Sequence, residues 1–225
     1  MEKLLFVDAC IRGEKSRTKQ LCDVYLEEFL KKNPDTSVET VKLRSGMLNT
    51  HTVEKLDLRD SLIRKRDFSH EMFDLAKQFK EADYIVIGSP YWDLSFAAVL
   101  KVYIENIMVA DLTFKATNTG FVGLCSGKKL IYITTAGGFI GEKNFGYDYM
   151  CGVAEMLGIP DTECVKAEAL DIEGFDAGKI VAKAAEEITE SGIPLKDVGE
   201  CRILETHNEN YILVSVGSGN YIFEV

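Results

Sequence analysis

Three short stretches of the chain hold residue types that can do chemistry together. In CIRGEKSRT, residues 10–18, Ser16 and Thr18 stand with Arg12 and Arg17 just where a helical stretch begins. The first N–H groups of a helix lack intrahelical partners and its start carries partial positive charge, so hydroxyls and arginines there suit a phosphate group. In SPYWDLS, residues 89–95, Tyr91 and the chain's single tryptophan, Trp92, follow Pro90 in a turn. A planar heterocycle needs a flat apolar wall and backbone donors, and this turn with Tyr91 and Trp92 can supply both. TAGGFIGEKNFGY, residues 135–147, opens on Thr135, Ala136, Gly137 and Gly138, and glycine lets backbone approach a ligand closely. Each stretch also has a plain structural account. Ser16 caps a helix, Trp92 packs on the helix that follows, and the glycines end a strand. No dinucleotide fingerprint of the form GxGxxG occurs.

Apolar spacing places these stretches on a frame. Lys3–Ala9 reads as a short buried strand. Ser16–Lys32 has a helical stripe of Leu21, Val24, Tyr25, Phe29 and Leu30. Ser37–Leu43 reads as a second strand, 52–64 as a weakly marked helix, and Glu71–Lys80 as a helix with Met72, Leu75, Ala76 and Phe79 on one face. Asp83–Ser89 is the third and most apolar strand, Ser95–Val109 a helix, and Lys129–Thr135 the fourth strand. Tyr147–Leu157 is a helix stopped by Gly158 and Pro160, Thr162–Ala169 the fifth strand, and Ala177–Glu190 a last helix. This alternation predicts an α/β fold, a doubly wound five-stranded parallel sheet with helices on both faces. The three stretches then follow strands one, three and four, at the carboxyl ends where such sheets bind ligands.

The chain has 225 residues, 46% of them apolar, and a net charge of −10. That predicts a sizeable core and argues against a nucleic-acid partner, whose binders present a basic face. The opening MEKLLFVDAC has too short an apolar run for a secretory leader, and no stretch is long enough to cross a bilayer, so no membrane role is expected. The six cysteines form no CxxC and no zinc spacing, which predicts no metal site and a reducing, cytoplasmic location.

The order of these features resembles a known family. The serine–threonine pair after strand one, the aromatic turn after Pro90, the helix around KVYIENI, and LTFKATNTGFVGLCSGKKLIYITTAGG are similar to the FMN-dependent NADH-azoreductases, flavodoxin-like NAD(P)H:quinone oxidoreductases. The likeness runs from Met1 to about Glu187 and is most specific over Ala110–Gly138. It implies FMN as cofactor, with phosphate on Ser16, Arg17 and Thr18 and Cys10 beside it. It implies the ring on Pro90, Tyr91, Trp92, Asp93 and Leu94, and Thr135, Ala136, Gly137 and Gly138 at the pyrimidine side. It implies NADH or NADPH as donor, a quinone or azo compound as acceptor, ping-pong hydride transfer through flavin N5, and a homodimer with Trp92, Phe114, Phe121 and Phe139 near the cleft. No catalytic side chain is assigned. Cys10, Asp93 and Ala136 depart from the family's serine, asparagine and arginine, which bears on acceptor preference and flavin potential. A one-electron carrier like flavodoxin, or a flavin-free binding or regulatory protein, is the alternative on the same fold.

The family pattern ends before the chain does. Glu200–Thr206, Tyr211–Val216 and Tyr221–Val225 are β-branched and aromatic runs separated by turn compositions, which predicts a small C-terminal β meander. The expected organisation is a flavodoxin-like FMN-binding domain over residues 1–190 and a β extension over 191–225.

Overall fold

The computed structural model describes residues 1–44, 46, 48, 50–190, 202–206 and 212–215. In chain order the elements are β1 (Lys3–Asp8), α1 (Arg17–Lys32), β2 (Ser37–Lys42), α2 (Val53–Lys65), α3 (Asp74–Glu81), β3 (Tyr84–Gly88), β4 (Tyr91–Trp92), β5 (Ser95–Phe96) and α4 (Ala98–Ile107). They continue with β6 (Phe114–Thr117), β7 (Gly120–Gly123), β8 (Lys129–Thr135), α5 (Phe145–Leu157), β9 (Asp161–Ala167), α6 (Ala177–Glu190), β10 (Arg202–Thr206) and β11 (Ile212–Ser215).

Five strands form one sheet in the order β2-β1-β3-β8-β9, every pair parallel. Parallel strands covered on both faces read as unbroken apolar runs. Accordingly β3 and β8 are buried along their whole length. On one face α1 packs against α6, and the buried side of α1 is Leu21, Cys22, Tyr25 and Phe29, spaced for one helical stripe. On the other face α3, α4 and α5 bring Phe79, Tyr103, Ile107 and Leu157 against Leu5, Ile85 and Tyr132 in one core.

Local signals set the helix ends. Ser16 caps α1 and Asn144 caps α5, each side chain accepting a backbone N–H from the first turn. Gly158, at φ 83°, ends α5 in the left-handed conformation. The predicted helix over Glu71–Lys80 divides into a 3-10 turn, Glu71–Phe73, and α3, because Phe73 leaves helical geometry at φ −100°, ψ 1°. The predicted helix over Ser95–Val109 begins only at Ala98. Asp93 and Leu94 both take positive φ, 49° and 68°, and turn the chain back so that Ser95–Phe96 pairs antiparallel with Tyr91–Trp92.

The described chain separates into two compact units, Met1–Glu190 and Ser191–Val225. In the second, β10 and β11 pair antiparallel with a register irregularity between Ile203 and Glu205. The third expected strand, Tyr221–Val225, lies outside the described residues.

The β6–β7 hairpin is fastened to the end of α5. Cys125 N–H donates to Leu157 O at 3.2 Å. A Cβ on Gly123 would lie 2.1 Å from both Gly158 N and Leu157 C, a clash with backbone that cannot rotate away. Gly123→Ala is therefore expected to destabilise the protein by at least about 3 kcal/mol in urea unfolding, the upper end of typical overpacking costs. Gly120→Ala one turn earlier meets no atom within 4 Å and strains only φ, at 137°.

Candidate functional site

The loop after β1 starts from a wholly buried carboxylate. Asp8 Oδ1 accepts the Cys10 N–H at 3.0 Å, and its Oδ2 accepts from Arg44 Nη2 at 2.7 Å. Arg44 Nη1 also donates to the carbonyls of Asp8 and Leu43, at 3.1 and 3.0 Å. A buried carboxylate without such donors would leave its oxygens unsatisfied. Cys10 is fully buried and its thiol turns inward, 3.6 Å from Gly88 O. The chain then makes a 3-10 turn over Gly13–Lys15 and enters α1. Ser16 Oγ accepts the Lys19 N–H at 3.4 Å, while Thr18 Oγ1 is buried 2.7 Å from Thr135 Oγ1. That hydroxyl pair ties the helix start to the end of β8. Arg17, the first residue of α1, reaches Asp171 Oδ1 at 2.8 Å and Leu170 O at 3.4 Å.

The second turn is the β4–β5 hairpin. Pro90 leads in, and Ser89 Oγ accepts the Ala97 N–H at 3.2 Å, which anchors the return to α4. Trp92 is 40% and Leu94 66% exposed, so the tryptophan is not packed away under the following helix. Beside them the Tyr91 hydroxyl is buried with no partner among the described residues. Burial pushes the nearby Tyr132 phenol and the Cys22 thiol up, so both stay neutral at physiological pH.

The third turn is held from behind by the loop after β9. Ala136 N–H donates to Ala167 O at 2.9 Å. In return the carbonyls of Ala136, Gly137 and Gly138 accept from Leu170, Asp171 and Ala169, at 3.1, 2.8 and 2.9 Å. A Cβ on Gly137 would lie 2.4 Å from Asp171 Oδ2, whereas one on Gly138 would meet nothing within 4 Å. Gly137 thus admits a side chain of this protein, and Gly138 leaves an open face. Phe139, 64% exposed, stacks edge-on against Phe175 with ring centroids 5.9 Å apart.

Parallel pairing puts the ends of β1, β3 and β8 side by side, so all three predicted turns lie on one edge of the sheet. Sequence reasoning missed Asp8, Arg44 and the 168–171 loop. The last was within reach of the strand-end rule, since it too follows a parallel strand. Among the described residues no group of three or more His, Cys, Asp or Glu is placed to hold a metal.

An open parallel sheet of this order, with a helix start at the point where the strand order reverses, defines the flavodoxin-like class. The family model described as a flavodoxin-like fold matches residues 2–191. An FMN-dependent NADH:quinone oxidoreductase of Clostridium beijerinckii is 34% identical over 194 residues, covering 85% of this chain and 98% of its own. A second, from Clostridium acetobutylicum, is 36% identical over 196 residues, covering 84% and 98%. The crystal structure of an azoreductase from Bacillus anthracis strain Sterne matches with a TM-score of 0.75 at 26% identity, covering 85% of this chain and 99% of that one. The chain belongs to the flavodoxin-like family of these FMN-dependent NADH:quinone oxidoreductases.

The Asp93–Leu94 turn stores strain. Two consecutive positive-φ residues suit Asn-Gly, and leucine in the left-handed region costs about 1–2 kcal/mol. Such strain persists where the surrounding structure imposes it, often at ligand sites. Leu94→Gly is expected to raise the stability of the flavin-free protein by about 1 kcal/mol in urea unfolding. A loss of stability would show that the Leu94 side chain is needed to hold the hairpin.

Proposed function

We propose that residues 1–190 form an FMN-binding domain and that the protein is an FMN-dependent NAD(P)H:acceptor oxidoreductase, reducing quinones or azo compounds in a ping-pong cycle. The observation that carries this reading is the convergence of three turns on one sheet edge: the Ser16–Thr18 helix start, the Tyr91–Leu94 hairpin and the Gly137–Gly138 turn. The groups present fit FMN. A terminal phosphate monoester suits unpaired helix N–H groups flanked by Ser16, Arg17 and Thr18. The exposed Trp92 and Leu94 offer a wall for a planar ring, and we assign Pro90, Tyr91 and Cys10 to its surroundings. The open face of Gly138, with Thr135, Ala136 and Gly137, suits the ring's polar edge. The names of the relatives point to the same cofactor and to NADH as donor.

Bound FMN supplies the hydride chemistry, and this chain supplies binding, orientation and a dry wall. We assign the backbone N–H groups of the Asp93–Leu94 turn to the ring edge and no side chain to acid or base catalysis. Purified protein mixed with FMN is expected to show a bound-flavin spectrum, to release FMN and not FAD on denaturation, and to oxidise NADH steadily only with a quinone or azo acceptor. FAD alone in the extract would overturn the cofactor assignment. The net charge of −10 favours a second reading, a one-electron carrier docking on redox proteins. Bound FMN without steady NADH–quinone turnover would select it.

Asp93 is exposed at the tip of the turn. A carboxylate beside the ring opposes the negative charge that reduction adds. Asp93→Asn keeps a residue that tolerates positive φ and is expected to raise the midpoint potential of bound FMN in a redox titration. An unchanged or lower potential would place the carboxylate out of reach of the ring.

We also propose a homodimer with the flavin sites near its interface. Trp92, Phe121 and Phe139 are 40, 62 and 64% exposed, and Phe114 stacks on Phe121 at 5.8 Å, so exposed aromatic surface stands on the aromatic turn, the glycine turn and the β6–β7 hairpin. Light scattering at micromolar concentration is expected to give twice the 25.1 kDa chain mass. A monomer mass would remove this proposal. Among the described residues no helix is long and apolar enough to cross a membrane, and the five described cysteines are free thiols. We place the protein in the cytoplasm on the cysteine pattern.

A further inference from the structure

We propose that Asp171 is a specificity-determining residue of the phosphate end. It occupies Arg17 and sets a negative charge beside the helix start, so that the protein binds FMN less tightly, relative to riboflavin, than that helix start alone would allow. The inference rests on the reading above, in which the start of α1 takes the FMN phosphate.

α2, α3 and α5 each carry an acidic residue in the first turn, Glu54, Asp74 and Asp148, which offsets the positive end of the helix dipole, whereas α4 and α6 carry none. α1 carries none and opens on Arg17 instead. A cation on the positive end of a helix calls for an anion from elsewhere. In this structure that anion is the Asp171 carboxylate, 154 residues away in the chain and 2.8 Å from Arg17 Nη1.

Asp171 is delivered there by backbone. Its own N–H donates to Gly137 O at 2.8 Å, and those of Leu170 and Ala169 donate to Ala136 and Gly138. Ala169 holds positive φ, 65°, to make this approach. The carboxylate lies so close over Gly137 that any Cβ there would meet Oδ2 at 2.4 Å. One carboxylate therefore touches both the phosphate-end arginine and the glycine turn assigned to the ring's polar edge.

The Arg17 and Asp171 side chains are 42 and 69% exposed. A pair that open adds little to stability and yields to a stronger anion. A phosphate dianion arriving at α1 has to share Arg17 with this carboxylate and accept its repulsion. Riboflavin, with the same ring and no phosphate, meets neither cost. The oxidised ring is neutral, so the Asp171 charge acts mainly on the phosphate although the carboxylate also lies over Gly137.

The test is a fluorescence-quenching titration of full-length wild type, Asp171→Asn and Asp171→Ser with FMN and with riboflavin, at low and high salt. Removing the charge is expected to tighten FMN binding roughly 3–10-fold at low salt and to leave riboflavin binding unchanged, a contrast that shrinks as salt screens exposed charges. Both variants should melt with the wild type, since the side chain is exposed. FMN affinity that stays the same or falls in the variants, or a riboflavin affinity that moves with it, overturns the inference and leaves Asp171 a loop anchor. Wild-type protein that binds neither flavin overturns the functional reading itself. Wild-type protein that binds FMN, with an unaltered FMN-to-riboflavin ratio in the variants, overturns only the role of Asp171.

Discussion

All five strands of the main sheet run the same way, so the chain must cross back after each strand before it can form the next. That constraint governs the rest of the molecule. Crossovers cover both faces, which makes β3 and β8 apolar throughout and pushes polar chemistry out of the sheet. It also opens every strand-to-helix turn at the same edge. The loops that follow Asp8, Gly88, Thr135 and Ala167 become neighbours there, although up to about 160 residues of chain separate them.

Once gathered, those loops are fixed to one another by a small number of polar contacts. Asp8 and Arg44 hold the first loop from below, through the Cys10 N–H and two strand-end carbonyls. The Thr18–Thr135 hydroxyl pair joins the first loop to the third. The third is stitched to the loop after β9 by four backbone hydrogen bonds, between Ala136–Gly138 and Ala167–Asp171. These amides and carbonyls satisfy one another. Beside them lie the start of α1, the open side of Gly138 and the Asp93–Leu94 turn. The site is thus defined as much by which polar groups are already paired as by which are present.

The aromatic residues of the first unit divide in a similar way. Tyr132 and Tyr103 stand mid-strand and mid-helix and disappear into the core. Trp92, Phe121, Phe139 and Phe175 sit on turns and hairpins and stay 40–64% exposed. Spacing along the chain does not distinguish these two groups. Whether they sit inside a core element or on a turn or hairpin does.

Local pattern was enough for much of the frame. Lys129–Thr135 and Ala177–Glu190 were legible to the residue, since an apolar run bounded by turn residues and a helical stripe are both written in neighbouring positions. The serine cap at Ser16, the aromatic turn and the paired glycines were legible for the same reason. The start of α4 was not, because Ser95–Phe96 has helical spacing yet is claimed by a hairpin whose turn takes positive φ at Asp93 and Leu94. The partners of Thr18, Arg17 and Asp8 were not legible either. Each lies 36 to 154 residues away, and which groups meet depends on how the strands align in the sheet and how the crossovers pack on it. Residue types and their order along the chain are local properties, and they set which chemistry is available. Charge pairing at the sheet edge is a long-range property, and only the folded register of the strands decides that Arg17 faces a carboxylate.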